Sequence, residues 1–456
     1  MEKITQINDF LNGLVWGPYM IGLILFTGVL LTVRLGFPQV VNFKYIIKNT
    51  LGRMFKKPET GEGDISSGQA GLTAIAAVVG TGNIAGVATA IAMGGPGAVF
   101  WMWVSAFFGM ATKFSEISLG IKYRERRKDG TYSGGAMYYL DKGLNSKFMA
   151  VFFSVMVIIT YFIIGAIVDT NSMVLSLEEQ WGIEPLVSGI VLAVLAGVVI
   201  LGGIKRMGQV CEILAPFMGG LYILAGIVIL LLNITEVPAA ILTIIKSAFS
   251  PVAATGGFAG SAIATTIRMG FARGMFSNEA GMGSSPIIHS SARVNHPVEQ
   301  GIWGVAEVFV DTILICSITG IAIVLSGEWM TGISGPALTM RAFDSTLPGN
   351  IGSYIVMGSA VLFGYSCLIS ANFYCERAGE YLFGPKAILP IRLLWIVFIV
   401  IGSIGGLEFV WALADTANGL MAIPNLIGLI LLSSTVVSLK KDYFNNEENN
   451  GISKIG

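Results

Sequence analysis

The chain has 456 residues, 54% hydrophobic and 12% charged, with a mean hydropathy of +0.74. Soluble domains carry about 25% charged residues, so this composition excludes an ordinary soluble fold and indicates an all-α polytopic membrane protein. Lys+Arg and Asp+Glu balance at 28 each, which gives no sign of a nucleic-acid partner. The four cysteines (Cys211, Cys316, Cys367, Cys375) lack CxxC spacing and read as small buried hydrophobes.

In chain order, apolar runs of about 20 residues give eleven expected spans. The first, 14–36, and the loop after it form a peripheral unit, 1–68. Span 69–93 carries Gly80-Thr81-Gly82-Asn83 at its centre. Each interior glycine costs about 1 kcal/mol in a helix, and opened backbone at membrane depth is tolerated only against protein or an aqueous cavity. This span therefore reads as a broken transmembrane helix. Span 97–121 holds Phe100, Trp101, Trp103, Phe107 and Phe108, read as helix packing and an interfacial aromatic belt rather than a gate. Span 147–176 ends in Asp169-Thr170-Asn171. Spans 186–203 and 209–232 follow, then a surface stretch, 237–250.

Span 255–288 is a second broken helix, reading Gly274-Met275-Phe276-Ser277-Asn278-Glu279-Ala280-Gly281-Met282-Gly283 near its centre. Ser277 or Asn278 is the expected cap of a new half-helix, with Glu279 in its first turn. Spans 298–325, 350–376, 388–404 and 407–437 complete the set, with a second surface stretch at 334–346. The last span is expected to be interrupted at Ala414–Gly419, where Asp415, Thr416 and Asn418 fall.

Basic residues orient the chain. With these spans, twenty-two Lys and Arg lie in loops on one side and three (Lys3, Lys246, Arg341) on the other. The positive-inside rule makes the heavy side cytoplasmic, with the N-terminus outside and the C-terminus inside. Lys113, Arg268 and Arg273 remain within spans. Lys113 is expected to pair with Glu116 three residues on. Arg273 is expected in a structural or gating ion pair with Glu279, Glu307 or Asp311.

Without the first span, ten spans divide into two sets of five, in units 69–250 and 251–437, with 438–456 a cytoplasmic tail. Each broken helix leads its set, and an odd number of spans inverts the second set. Paired interruptions at matching positions of inverted halves point to a secondary-transporter site near the midplane. Half-helix N-termini suit a carboxylate, and half-helix C-termini with unwound carbonyls suit a cation. Small residues beside the first break (Ala76, Ala77, Ala85, Ala88) allow close packing and imply a small substrate.

Three long strings also resemble the alanine or glycine:cation symporter family: Gly80-Thr81-Gly82-Asn83-Ile84-Ala85-Gly86, the run Gly94 to Gly109, and Phe276 to Pro286. The resemblance covers nearly the whole chain. It implies a leucine-transporter-like five-plus-five inverted repeat in a prokaryotic plasma membrane, importing alanine or glycine with Na⁺ or H⁺. It also implies that Gly80, Thr81 and Gly82 meet the substrate carboxylate and that Asn83 holds sodium. Carbonyls around Gly274, Met275 and Phe276 would take the ammonium, with Ser277, Asn278, Thr170 and Asn171 nearby. A second sodium would sit on the carbonyls of Ala76 and Val79 with the hydroxyl of Ser366 or Ser370, although Cys367 replaces the usual second hydroxyl. The resemblance makes the chain a transporter rather than an enzyme. An ion channel is the rival class, since broken helices also line selectivity filters.

Overall fold

The computed structural model describes residues 2–55, 61–250, 263–405 and 408–449. The chain enters through α1 (Glu2–Val15) and α2 (Pro18–Arg34). The first expected break is present: α3 (Ser67–Val78) and α4 (Gly82–Gly94) meet at 46°. A capping box of Ser66 and Gln69 starts α3. Then come α5 (Gly97–Lys122), α6 (Lys147–Trp181), α7 (Pro185–Ile200), α8 (Gly203–Leu232) and the surface helix α9 (Val237–Phe249).

The second half runs through α10 (Ile263–Asn278), α11 (Ser285–His289), α12 (Pro297–Ser326), the short α13 (Gly335–Thr346), α14 (Ile351–Phe383), α15 (Ile388–Ile404) and α16 (Glu408–Asn449). The first part of the expected span 255–288 lies outside the described residues. The break in this span falls after Asn278, so Ser277 and Asn278 end α10 instead of capping a new helix. α16 runs unbroken through Asp415–Asn418. The backbone stays helical there even with Gly419 in the stretch and Pro424 beyond it, so the interruption expected at Ala414–Gly419 is absent.

Among the described residues, seven helices are long and apolar enough to cross a membrane, or eight if the bent pair α3–α4 counts as one span. Of the other expected spans, α7 and α10 each have 16 residues.

α5 is the hub of the fold, packed closely against α12 and α10 and touching α2, α9 and α11. α3 and α4 join this group, and α6, α7, α8, α14 and α15 pack against one another around it. Glycine sets the closest seam. A Cβ on Gly304 of α12 would lie 2.8 Å from the Lys113 carbonyl carbon of α5, and one on Gly120 would lie 2.6 Å from Pro286. Small residues allow such approach where lipid offers no hydrophobic drive. The two broken helices are also tied end to end. The short strands Ile65–Ser66 and Ala292–Arg293 pair in parallel, and Arg124 donates to the carbonyls of Ser290 and Ala292.

Gly304→Val is expected to overpack the α5–α12 seam and cost about 1–3 kcal/mol, seen as a lower thermal midpoint of the detergent-solubilised protein. An unchanged midpoint would show that the seam can part freely.

Candidate functional site

The first break is built by its own residues. α3 ends at Val78, and Val79 is extended. The Asn83 side chain spans the gap, its Oδ1 accepting from the Gly80 N–H at 2.8 Å. Thr81 and Gly82 open α4 with N–H groups that have no intrahelical partner. Close approach favours glycine at Gly80, where a Cβ would meet the Cys367 sulfur at 2.4 Å, and leaves a tight fit at Gly82, where one would lie 3.3 Å from Phe276 and Ser277.

Asn83 turns its Nδ2 to Asp311, at 2.7 Å from Oδ1 and 3.1 Å from the backbone oxygen. Asp311 sits in a π-helical turn of α12, Phe309–Cys316. Its carboxylate also accepts from Ser277 at 3.0 Å and Thr312 at 2.7 Å. It is fully buried and forms no ion pair among the described residues. A buried carboxylate supported only by neutral donors lacks a countercharge. The hydroxyl and carboxylate oxygens here suit a hard cation rather than a soft metal, with Asn83 presenting its NH2 group to Asp311 and its amide oxygen to Gly80.

The second break is wired by polar groups from its neighbours. Glu279 adopts φ +56°, and Gly281 and Gly283 are also left-handed. Glu279 accepts from Tyr161 at 2.9 Å, Ser284 at 2.6 Å and Tyr374 at 3.4 Å. Gly283 donates to Glu116, and Asn425 donates to the Gly281 carbonyl. Lys113 donates to the Asn278 carbonyl at the end of α10 and pairs with Glu307 at 2.8 Å. Its partner is thus Glu307 on α12 and not Glu116, which serves the break instead. Glu307 also meets His289 at 3.3 Å.

Between the breaks lies a cavity walled by α3–α4, α6, α10, α14 and α16. Its lining includes Gly80, Thr81, Gly82, Asp169, Phe276 and Ser277. The space open to water-sized spheres is about 40 Å³, roughly three waters' worth, so it suits a small solute. Toward α16, Arg273 makes a bidentate pair with Asp415 at 3.0 and 2.8 Å, a partner outside the three expected acids. The expected aromatic cluster is packing: Trp101 donates to the Ala248 carbonyl and Trp103 to Ser317.

Several expected site residues face elsewhere. Gly274 turns toward Met102 and Ser105 of α5. The Met275 carbonyl is taken by the Glu279 N–H at 2.9 Å, because α10 is still helical there. Asn278 donates to Thr312. Asn171 donates to the carbonyls of Gly402 and Gly405 at the end of α15. Thr170 is buried outside the cavity lining. Ser366 donates to the Phe363 carbonyl at 2.8 Å, and Ser370 lies 3.9 Å from Cys211. Cys367 occupies the place expected of those hydroxyls, its sulfur 3.0 Å from the Ala77 carbonyl and 3.8 Å from those of Ala76 and Val79.

Sequence reasoning missed Asp169 as a cavity residue. α6 contains a π-helical stretch, Phe162–Val168, and an inserted residue rotates the next part of a helix by about one residue's turn of 100°. Asp169 follows this stretch and lines the cavity, whereas Asn171, about 200° further round the helix, faces α15.

The fold is similar to two solved structures. The structure of MhsT in complex with L-phenylalanine matches with a TM-score of 0.58 at 15% identity, covering 81% of this chain and 89% of that one. The structure of a Na⁺-coupled sialic acid symporter in its substrate-bound outward-open state matches at 0.52 and 14% identity, covering 94% and 86%. This likeness is one of fold, and the family and relative that follow are symporters rather than enzymes. The sodium:alanine symporter family model matches residues 1–455, and the chain belongs to that family. It is 45% identical over 451 residues to the sodium/alanine symporter AgcS of Methanococcus maripaludis, covering 97% of this chain and 98% of that protein.

Lys113→Met is expected to leave Glu307 buried and unpaired and to destabilise the fold by about 3–5 kcal/mol. Thermal unfolding of the single variant and of Lys113→Met/Glu307→Gln checks this, because the double variant should recover part of the loss.

Proposed function

We propose that this chain is a Na⁺-coupled symporter that imports alanine or glycine across a prokaryotic plasma membrane by alternating access. In this reading the chain crosses the membrane eleven times, N-terminus outside and C-terminus cytoplasmic. Spans two to eleven form the five-plus-five inverted repeat. The observation that carries the reading is the junction of Asn83 with Asp311. An uncompensated buried carboxylate is hydrogen-bonded to the side chain that holds open the first break, and that break lines the cavity.

Sodium binds at Asp311, with Ser277, Thr312 and the Asn83 region completing its oxygen shell. This placement is preferred to one on Ala76 and Val79 with Ser366 or Ser370, because the Cys367 thiol points at those carbonyls and both serines are turned away. The free N–H groups of Thr81 and Gly82 take the substrate carboxylate. Coupling is a matter of geometry. A cation that orders Asp311 and Asn83 also orders the loop presenting those N–H groups, so each ligand raises the affinity of the other. The Arg273–Asp415 pair closes the outer side. The exposed apolar side chains of the helices meet membrane lipid, and nucleic acid is no partner.

Proteoliposomes separate the alternatives. Labelled alanine or glycine is expected to accumulate with an inward Na⁺ gradient, saturably and with counterflow. Uptake driven by a pH gradient alone would make the protein proton-coupled, and large currents without substrate would make it a channel. Asp311→Asn is expected to weaken the sodium dependence of uptake at least about tenfold. Unchanged sodium activation in that variant would remove Asp311 from the ion site.

A further inference from the structure

We infer that Asp169 is the ammonium receptor of this transporter and that Thr81 sets it beside the carboxylate site, so that the pair reads the two charges of an α-amino acid. The inference rests on the proposed amino-acid substrate. It names a side chain where the family resemblance pointed to backbone carbonyls of α10.

Those carbonyls are the first reason to look elsewhere. α10 remains helical through Asn278, and the Met275 carbonyl is already occupied. The cavity does contain two carboxylates, Asp169 and Glu279, and no Lys or Arg lines it. Glu279 is saturated, with Tyr161 on one oxygen and Ser284 and Tyr374 on the other. Asp169 differs. It is 4% exposed, its Oδ1 accepts from the Thr81 hydroxyl at 2.8 Å, and its other oxygen has no partner. It forms no ion pair among the described residues. A carboxylate so deeply buried is stable as an anion only with a compensating cation, and one open oxygen faces the cavity where a solute would sit.

A second polar group in the same cavity also lacks a partner. Asn418 of α16 is 4% exposed, lines the cavity, and makes no hydrogen bond among the described residues. Its carboxamide offers a polar solute in the cavity a further hydrogen-bonding partner.

Thr81 gives the arrangement its selectivity. Its N–H is free at the start of α4, and its hydroxyl is bound to Asp169. An anion acceptor and a cation acceptor therefore sit on and beside one residue. An α-amino acid carries its carboxylate and ammonium on a single carbon and matches this spacing. A β-amino acid holds them one methylene further apart, and lactate or propionate offers no cation to Asp169.

The test is equilibrium binding of labelled alanine, or of whichever α-amino acid the wild type binds, at saturating Na⁺ in detergent, with lactate as competitor and ²²Na⁺ binding in parallel. Asp169→Asn is expected to weaken amino-acid binding between about tenfold and hundredfold, the range for loss of a charge-assisted hydrogen bond. It should leave sodium binding within about threefold and allow lactate to compete, because a neutral amide no longer demands a cation. Thr81→Val should shift the same preference toward lactate and Thr81→Ser should not. The Thr81 pair decides the matter if Asp169→Asn does not fold. Amino-acid affinity unchanged in Asp169→Asn would overturn the inference. So would equal losses of sodium and amino-acid affinity with lactate still excluded, which would make Asp169 a cation ligand. A wild type that binds another α-amino acid in place of alanine and glycine corrects the substrate of the proposed function while the Asp169 comparison is made on that ligand.

Discussion

Opened backbone inside a hydrocarbon layer must be satisfied by protein, and most polar residues within this structure answer that constraint. At the first break, Asn83 meets Gly80. At the second, Glu116 meets Gly283, Asn425 meets Gly281 and Lys113 meets Asn278. Each supporting group is itself buried, and each brings a further partner: Asp311 for Asn83 and Glu307 for Lys113. The polar interior is therefore two connected networks, one beneath each break, and not a scatter of isolated charges.

The two networks differ in charge. Around the second break, Lys113 neutralises Glu307 and faces the carbonyl end of α10, where a cation is favoured by the helix dipole. Glu116 and Glu279 at the same break are held by neutral donors. Around the first break, Asp311 and Asp169 are held by neutral donors, and neither forms an ion pair among the described residues.

Much of this was legible in the sequence. The first break, the helices around it and the enclosure of the glycines could be read from Gly80-Thr81-Gly82-Asn83 standing inside an apolar run, since few other arrangements tolerate those residues. The existence of the second break was legible too, but not its place, because Gly270, Gly274, Gly281 and Gly283 all compete for it and only packing against α5 decides. Side-chain direction was the least legible property. Asp169, Thr170 and Asn171 are adjacent, as are Ser366 and Cys367, and helical phase selects which one faces inward. A π-helical stretch upstream shifts that phase in α6 without any signal in hydrophobic pattern. Ion-pair choice failed for a related reason: Lys113 and Arg273 both pair across helices, and sequence spacing favours partners on the same one.

The short parallel pairing of Ile65–Ser66 with Ala292–Arg293 has a mechanical meaning. It joins the entry of α3 to the segment leaving α11, and Arg124 of the loop after α5 is fastened to the same strand. A lever turns about the point where it is pinned. With these ends in one hydrogen-bonded register, the two broken helices are held together there, and the two elbows, Val79–Thr81 and Glu279–Ser284, are left outside the pinned point. Both elbows also line the internal cavity, so the parts of the molecule left unpinned are the parts that a solute in that cavity would touch.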